Sequence, residues 1–338
     1  MDPKALNIPA EDKHSFAEYF QQHIAPKWQR YEAKRIPIAA KYQQRRKISQ
    51  PVSYIAMFTG LIGFAGIFYA LAITNGDGFM LVGGLLLFVV AMIVAAAVNF
   101  WAGSEAFKFR DGVIKVIHPL ILRYFGESFM LNPKNLPELK KYEQYGVLPK
   151  YDRGYFQDSV KGEYKGVAFL VRELNLSVAN GTEDNKTKYK TIFDGIIIEF
   201  DTFKKFKGET QVRLDKGTLG NKYQAFKHDL SQVKLEDVNF ERQFEVYSSD
   251  QVEARYLLTP ATMARFLSLS SFYGSQLEAC FKDGKLFMKI ATKHNYFNSK
   301  LDVLKPLDFS HDIEQLFREL YQIFALIDEL KLDDKTGL

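Results

Sequence analysis

The chain has 338 residues, a hydrophobic share of 47% and a mean hydropathy of −0.18, so any membrane-spanning sequence is confined to a small part of it. One cysteine, Cys280, excludes an internal disulfide framework and every multi-cysteine zinc or iron–sulfur pattern. The net charge of +5 comes from the first 50 residues, with ten Lys/Arg against five Asp/Glu, whereas residues 104–338 hold 35 basic and 34 acidic residues. A main domain so nearly neutral argues against a nucleic-acid partner, which needs a concentrated basic face.

Residues 1–50 read as a basic amphipathic arm. Phe16, Phe20, Ile24, Trp28 and Tyr31 recur at near-helical spacing among Lys27, Arg30, Lys34 and Arg35, with a bend expected at Pro26. The stripe suits a membrane surface and a docking site on the protein's own domain equally well. Arg45, Arg46 and Lys47 directly precede an apolar run and are candidate contacts for anionic lipid headgroups, worth about 1 kcal/mol per charge.

Residues 51–103 predict a transmembrane hairpin. Residues 54–73 and 79–101 are free of charged side chains, and each is long enough to cross about 30 Å of hydrocarbon. Thr74-Asn75-Gly76-Asp77-Gly78 between them is a turn sequence. Spacings of four link Ala56 to Gly60, Gly66 to Ala70 and Ala91 to Ala95, which lets the helices approach, and Asn99 reads as an interhelical hydrogen bond or an interfacial residue and not as part of a pathway. Lys34, Arg35, Lys41 and Arg45 to Lys47 precede the first run, and Lys108, Arg110 and Lys115 follow the second. The connecting turn has no positive charge, and this bias is expected to place both termini in the cytoplasm, with the hairpin as a multi-pass anchor.

Residues 104–150 predict a helical connector ending near Pro133 and Pro137, and residues 151–338 a cytoplasmic α+β domain. Strands are expected over residues 164–176, 191–203, 210–214, 240–247 and 254–258. A hairpin is expected from Leu277 to Ala291 around Asp283-Gly284, and the polar stretch from Asn180 to Lys188, with its two sequons, reads as a loop. Thr259-Pro260 opens a helix with Met263, Phe266, Leu267 and Ser270 on one face. Ser310 opens a C-terminal helix whose core stripe is Ile313, Leu316, Phe317, Leu320, Phe324 and Ile327. The expected fold is an antiparallel sheet or partial barrel of six or seven strands, with the helices at one face or end.

Three segments carry a resemblance: FDGIIIEFDTFKKFKGET from Phe193, LEDVNFERQFEVYSSDQVEARYLLTPATM from Leu235 and CFKDGKLFMKIA from Cys280. Together they resemble a bacterial two-span membrane-protein family catalogued as a domain of unknown function, over roughly residues 100–305. The resemblance implies an N-terminal arm and two spans ahead of a soluble domain, and it implies no active site.

No HExxH, Walker A, GxSxG, strand-linked GxGxxG or kinase signature occurs. Cys280 with His294 is a weak nucleophile pair, because a cysteine between Ala279 and Phe281 on a strand reads as core. Glu253 and Arg255 read as a partly exposed charge pair at a strand end, and Glu236 and Asp237 as adjacent acids pointing apart. No catalytic residue, cofactor or metal site is expected. The sequence therefore favours a membrane-anchored interaction or scaffold module that binds lipid, a protein partner or a second copy of itself. An enzyme of unrecognised type acting on a lipid or envelope substrate is the alternative.

Overall fold

A computed structural model describes residues 2–73, 78–134, 136–183, 186–202, 207–215, 229–272, 277–292, 301–329 and 332. The hairpin turn at residues 74–77, Asn185 of the second sequon and His294 lie outside them. The chain forms two compact units. One comprises residues 14–120 and 299–309, the other residues 2–13, 121–298 and 310–338.

The first unit is built on two long helices, α2 (Ala25–Ala72) and α3 (Gly78–Leu122). Both are long and apolar enough to cross a membrane. The arm and the first apolar run are thus one helix. Where a bend is expected, the helix is irregular: Pro26 lies in the first turn of α2, and directly before it Phe20–Ile24 form a π-helical turn after α1 (Ala10–Tyr19).

The aromatic stripe of the arm is covered by protein: Phe16, Phe20 and Ile24 are buried, and Tyr31 meets Phe109 of α3 edge-on. Residues 301–309 run as a strap along α2. Trp28 Nε1 donates to the Leu307 carbonyl at 3.1 Å, Arg35 to the Val303 carbonyl at 2.9 Å, and the Leu307 N–H to Glu32 at 3.0 Å. The Arg35 guanidinium beside it holds the Glu32 carboxyl below its usual range against the opposing effect of burial.

Within the apolar runs the helices touch through glycine. A Cβ on Gly63 would lie 2.7 Å from the Gly84 carbonyl oxygen and 2.9 Å from the Phe88 nitrogen, so backbone meets backbone there. Ala56, Gly60, Ala70 and Ala91 are buried on the same seam, whereas Gly66 faces open space. Asn99 bonds between the helices, donating to Ser53 Oγ at 2.9 Å.

The second unit is α+β. Nine described strands form one antiparallel sheet: β1 (Met130–Leu131), β2 (Arg153–Tyr164), β3 (Val167–Glu183), β4 (Lys186–Asp201), β5 (Thr210–Leu214), β6 (Ser231–Val233), β7 (Phe244–Ser248), β8 (Leu277–Lys282) and β9 (Lys285–Ala291). Their linear order is β1-β2-β3-β4-β9-β8-β5-β7-β6, with β1 and β6 at the edges, in place of the six or seven strands expected. The expected hairpin is β8–β9; Asp283 and Gly284 both take positive φ (52° and 69°), as its tight primed turn demands. Asn180 belongs to β3 and not to a loop.

Two expected strands are helical in part or whole. Residues 238–243 form α5 (Val238–Gln243), which precedes β7, and residues 251–257 form α6 (Gln251–Leu257). The cause is capping. The Asp237 carboxylate accepts from the N–H groups of Asn239 and Phe240, and Asp250 from those of Val252 and Glu253. Glu253, Ala254 and Leu257 then bury at helical spacing.

Alternation along the strands gives the sheet two different faces. On one, Ile196, Ile198, Phe200, Leu286, Met288 and Ile290 are all buried. The helices on that side are α7 (Pro260–Phe272), opened by Thr259 as expected, and α8 (Ser310–Glu329). Phe324 of α8 stacks on Tyr164 with ring centroids 4.1 Å apart and meets Phe169 edge-on. The residues expected as the stripe of α8 are all buried. Residues 2–13 join this unit too: Leu6 and Ile8 are buried, the Asn7 N–H donates to Glu314, and Asp12 accepts from Tyr124 at 2.6 Å and from Tyr321.

Candidate functional site

The other face of the sheet carries charge. On β4, Ile197, Glu199 and Asp201 alternate with the core residues, and on β9 Lys285, Phe287 and Lys289 do the same, in a register that sets Asp201 opposite Lys285 and Glu199 opposite Phe287. The sequence FDGIIIEFD is therefore core on one side and, from Glu199 onward, acid on the other. Further along this face Lys289 pairs with Glu278, Lys282 with Glu209 at 2.6 Å, and Arg213 donates to Gln211.

A helix of five residues, α4 (Lys140–Gln144), packs over part of this face. Tyr142 meets the Phe287 ring edge-on, Tyr145 stacks on it, and Leu139, Val147 and Leu148 join Leu174, Leu176 and Ile197 in a local core. Beside them lies a half-open cleft of about 180 Å³, walled by Leu136, Pro137, Ala168 and Leu170 and lined by Lys161, Glu199, Asp201 and Lys285.

Glu199 is the chemical centre of the cleft. It is 6% exposed, and its carboxylate accepts from the Tyr142 hydroxyl at 2.8 Å, pairs with Lys285 at 2.7 Å and has Lys141 at 3.6 Å. Burial alone would push its pKa up; the bonds from Lys285 and Tyr142 and the two lysine charges outweigh that and hold it below the usual carboxylate range. Burial and the Glu199 charge push the Tyr142 hydroxyl up. Arg172 closes the set, donating to the Pro137 carbonyl at 2.7 Å. Sequence reasoning missed Glu199, Tyr142, Lys285 and Arg172. The available signal was the acid placed every second residue at the end of an apolar strand.

The residues singled out in the sequence fall elsewhere. Arg45 lies over the Trp101 ring at 4.9 Å and pairs with Glu105 at 3.0 Å, and Lys41 shares the same carboxylate at 2.7 Å; Arg46 and Lys47 are exposed on the next positions of α2. Cys280 is buried, and burial pushes its thiol pKa up, away from nucleophilic use. Glu253 is not one of a charge pair at a strand end: it is buried on α6 and accepts from the backbone N–H groups of Lys207 and Gly208, while Arg255 donates to Gln251 of its own helix.

The segments that carry the family resemblance all lie between residues 191 and 332, from β4 to the end of α8. That stretch matches a family model described as Protein of unknown function (DUF3137). The matched stretch supplies Glu199, Asp201 and Lys285 of the cleft, whereas Tyr142, Lys161 and Arg172 come from the chain before it. No curated protein matches the chain. Among solved structures, the mycobacterial trehalose monomycolate transport factor A, TtfA, is similar at 11% identity over 52% of this chain and 73% of that one, with a TM-score of 0.29.

Proposed function

We propose that the chain is a membrane-anchored interaction module: the hairpin of α2 and α3 holds it in a bacterial inner membrane with both termini in the cytoplasm, and the α+β unit binds a protein partner or a second copy. The observation that carries this reading is the apolar surface of the two helices. Ile55, Phe58, Leu61, Phe68, Leu86 and Ile93 are each more than half exposed, which is costly in water and favourable in lipid. The basic residues at both outer ends of the hairpin support the orientation. The state of Glu199 supports a binding role over catalysis. An acid held charged by three fixed partners is part of the framework, whereas a proton-transfer group works best with its pKa near the ambient pH. Arg46 and Lys47 are proposed to meet anionic headgroups, with Arg45 turned to Glu105.

The test is labelling of intact cells with a membrane-impermeant thiol reagent. In a Cys280→Ser background, Asn75→Cys should label before lysis and Ser49→Cys only after it; the reverse pattern overturns the orientation. Purification in mild detergent should then retain a stoichiometric partner, or a second copy, that is lost on Lys161→Glu at the rim of the cleft. Turnover of a lipid or envelope precursor by the purified protein would instead establish the enzymatic alternative.

A further inference from the structure

The upper part of the helix pair shows where a bilayer would end. Tyr54, Phe100 and Trp101 are exposed at one level of the pair, as aromatic side chains are at headgroup depth. Ser53 bonded to Asn99, and Arg45 bonded to the Trp101 carbonyl, fix which residues of α2 stand beside which of α3. Just past that level the cations Arg46, Lys47 and Lys108 are exposed, one pair on α2 and one on α3, so the positive charge comes from both helices and not from one arm.

Neither helix stops there. Contact persists from Lys41 and Arg45 on Glu105, through Tyr31 on Phe109, to the Tyr19 hydroxyl on the Leu120 carbonyl at 2.8 Å. At about 1.5 Å per residue, α3 runs about 30 Å from Trp101 to its end. The arm continues the span as one helix, and its aromatic stripe is turned to protein and not to a membrane: Phe16, Phe20 and Ile24 are buried, Trp28 is bonded to the strap and Tyr31 meets Phe109.

We propose that the bilayer surface crosses the pair at Trp101, that Arg46, Lys47 and Lys108 form a collar for anionic phospholipid headgroups, and that the helices continue beyond it as a rod about 30 Å long. The proposal rests on the anchored reading above. Its chemistry is charge beside an aromatic belt: Arg45 is spent on Glu105, and seven residues of helix set Lys108 about 10 Å past Trp101, about the distance over which 0.1 M salt screens a charge.

The test uses the full-length protein in nanodiscs containing phosphatidylglycerol and phosphatidylethanolamine. Nitroxide labels on Phe100→Cys and Lys115→Cys, in a Cys280→Ser background, should differ: the first accessible to oxygen in lipid, the second to an aqueous nickel chelate. Native mass spectrometry of retained lipids should show enrichment of phosphatidylglycerol that falls about fivefold for each of Arg46→Gln, Lys47→Gln and Lys108→Gln. Both labels in lipid, or both in water, would overturn the rod; undiminished enrichment in the triple variant, still inserted, would overturn the collar. Release of the wild type from membranes by alkaline carbonate would instead overturn the anchor and this inference with it.

Discussion

The Tyr142 hydroxyl and the Glu199 carboxylate meet across 2.8 Å, on a short helix and a central strand that are 57 residues apart in sequence. A bond from a neutral donor to a buried carboxylate contributes about 1.5–3 kcal/mol. Tyr142→Phe should therefore lower stability by that amount, read as the thermal midpoint of the α+β unit. Glu199 itself titrates below its usual range, so the stability it gives is present above about pH 4.5 and is lost as pH falls through its lower folded value. Glu199→Gln should remove that acid-limb dependence while the paired Lys285 keeps Asp201.

Glu319 on α8 should act in the opposite sense. It is 6% exposed, Gln315 donates to one of its oxygens at 2.8 Å, and the other has no donor among the described residues. Burial pushes its pKa up to about 8, with the Glu173 charge adding and Gln315 and Arg318 opposing. A raised acid is protonated in the folded state, so its stabilising contribution is complete below about pH 4.5 and is lost as pH rises to about 8. Melting of the wild type should fall across that window by up to about 5 kcal/mol, and Glu319→Gln should flatten the curve. An unchanged slope in the variant would assign the dependence to another group.

In the helix pair, Gly63→Leu should splay the seam, because its Cβ would meet backbone atoms of Gly84 and Phe88, whereas Gly66→Leu has open space around it. Cysteines placed at Ser53 and Asn99 in a Cys280→Ser background report the difference. Oxidative cross-linking in membranes should drop sharply with the first substitution and persist with the second.

Asp12 accepts from the hydroxyls of Tyr124 and Tyr321, and burial together with this carboxylate pushes the Tyr321 pKa up. Asp12→Ala should remove the carboxylate that both hydroxyls donate to and cost about 2 kcal/mol, with faster hydrogen exchange along α8. Asp12→Asn, which keeps one carbonyl oxygen, should recover part of the loss.

Much of the fold was legible where one signal dominated. Uncharged runs of spanning length marked the two helices, and Asp283-Gly284 and Thr259-Pro260 marked a turn and a helix start because each residue has a local backbone reason to be there. The reading failed where a cap and helix propensity were overlooked. Val252 to Leu258 holds only two strand formers, Val252 and Tyr256, among the helix-favouring Glu253, Ala254, Arg255, Leu257 and Leu258, and Asp250 satisfies two N–H groups at its start, so the helix is the better local choice. The cleft was illegible for a different reason. Tyr142, Arg172, Glu199 and Lys285 meet only through strand pairings between distant segments, and no spacing along the chain encodes those.

Residues 2–13 and α8 lie in one compact unit, and their contacts join positions more than 300 residues apart. During synthesis the chain grows at about 5–20 residues per second, so Asp12 leaves the ribosome roughly 15–60 s before Tyr321 exists. The two long helices are made in between. The sheet unit is completed last, when the N-terminal segment meets α8, so it cannot finish folding until nearly the whole chain has been made.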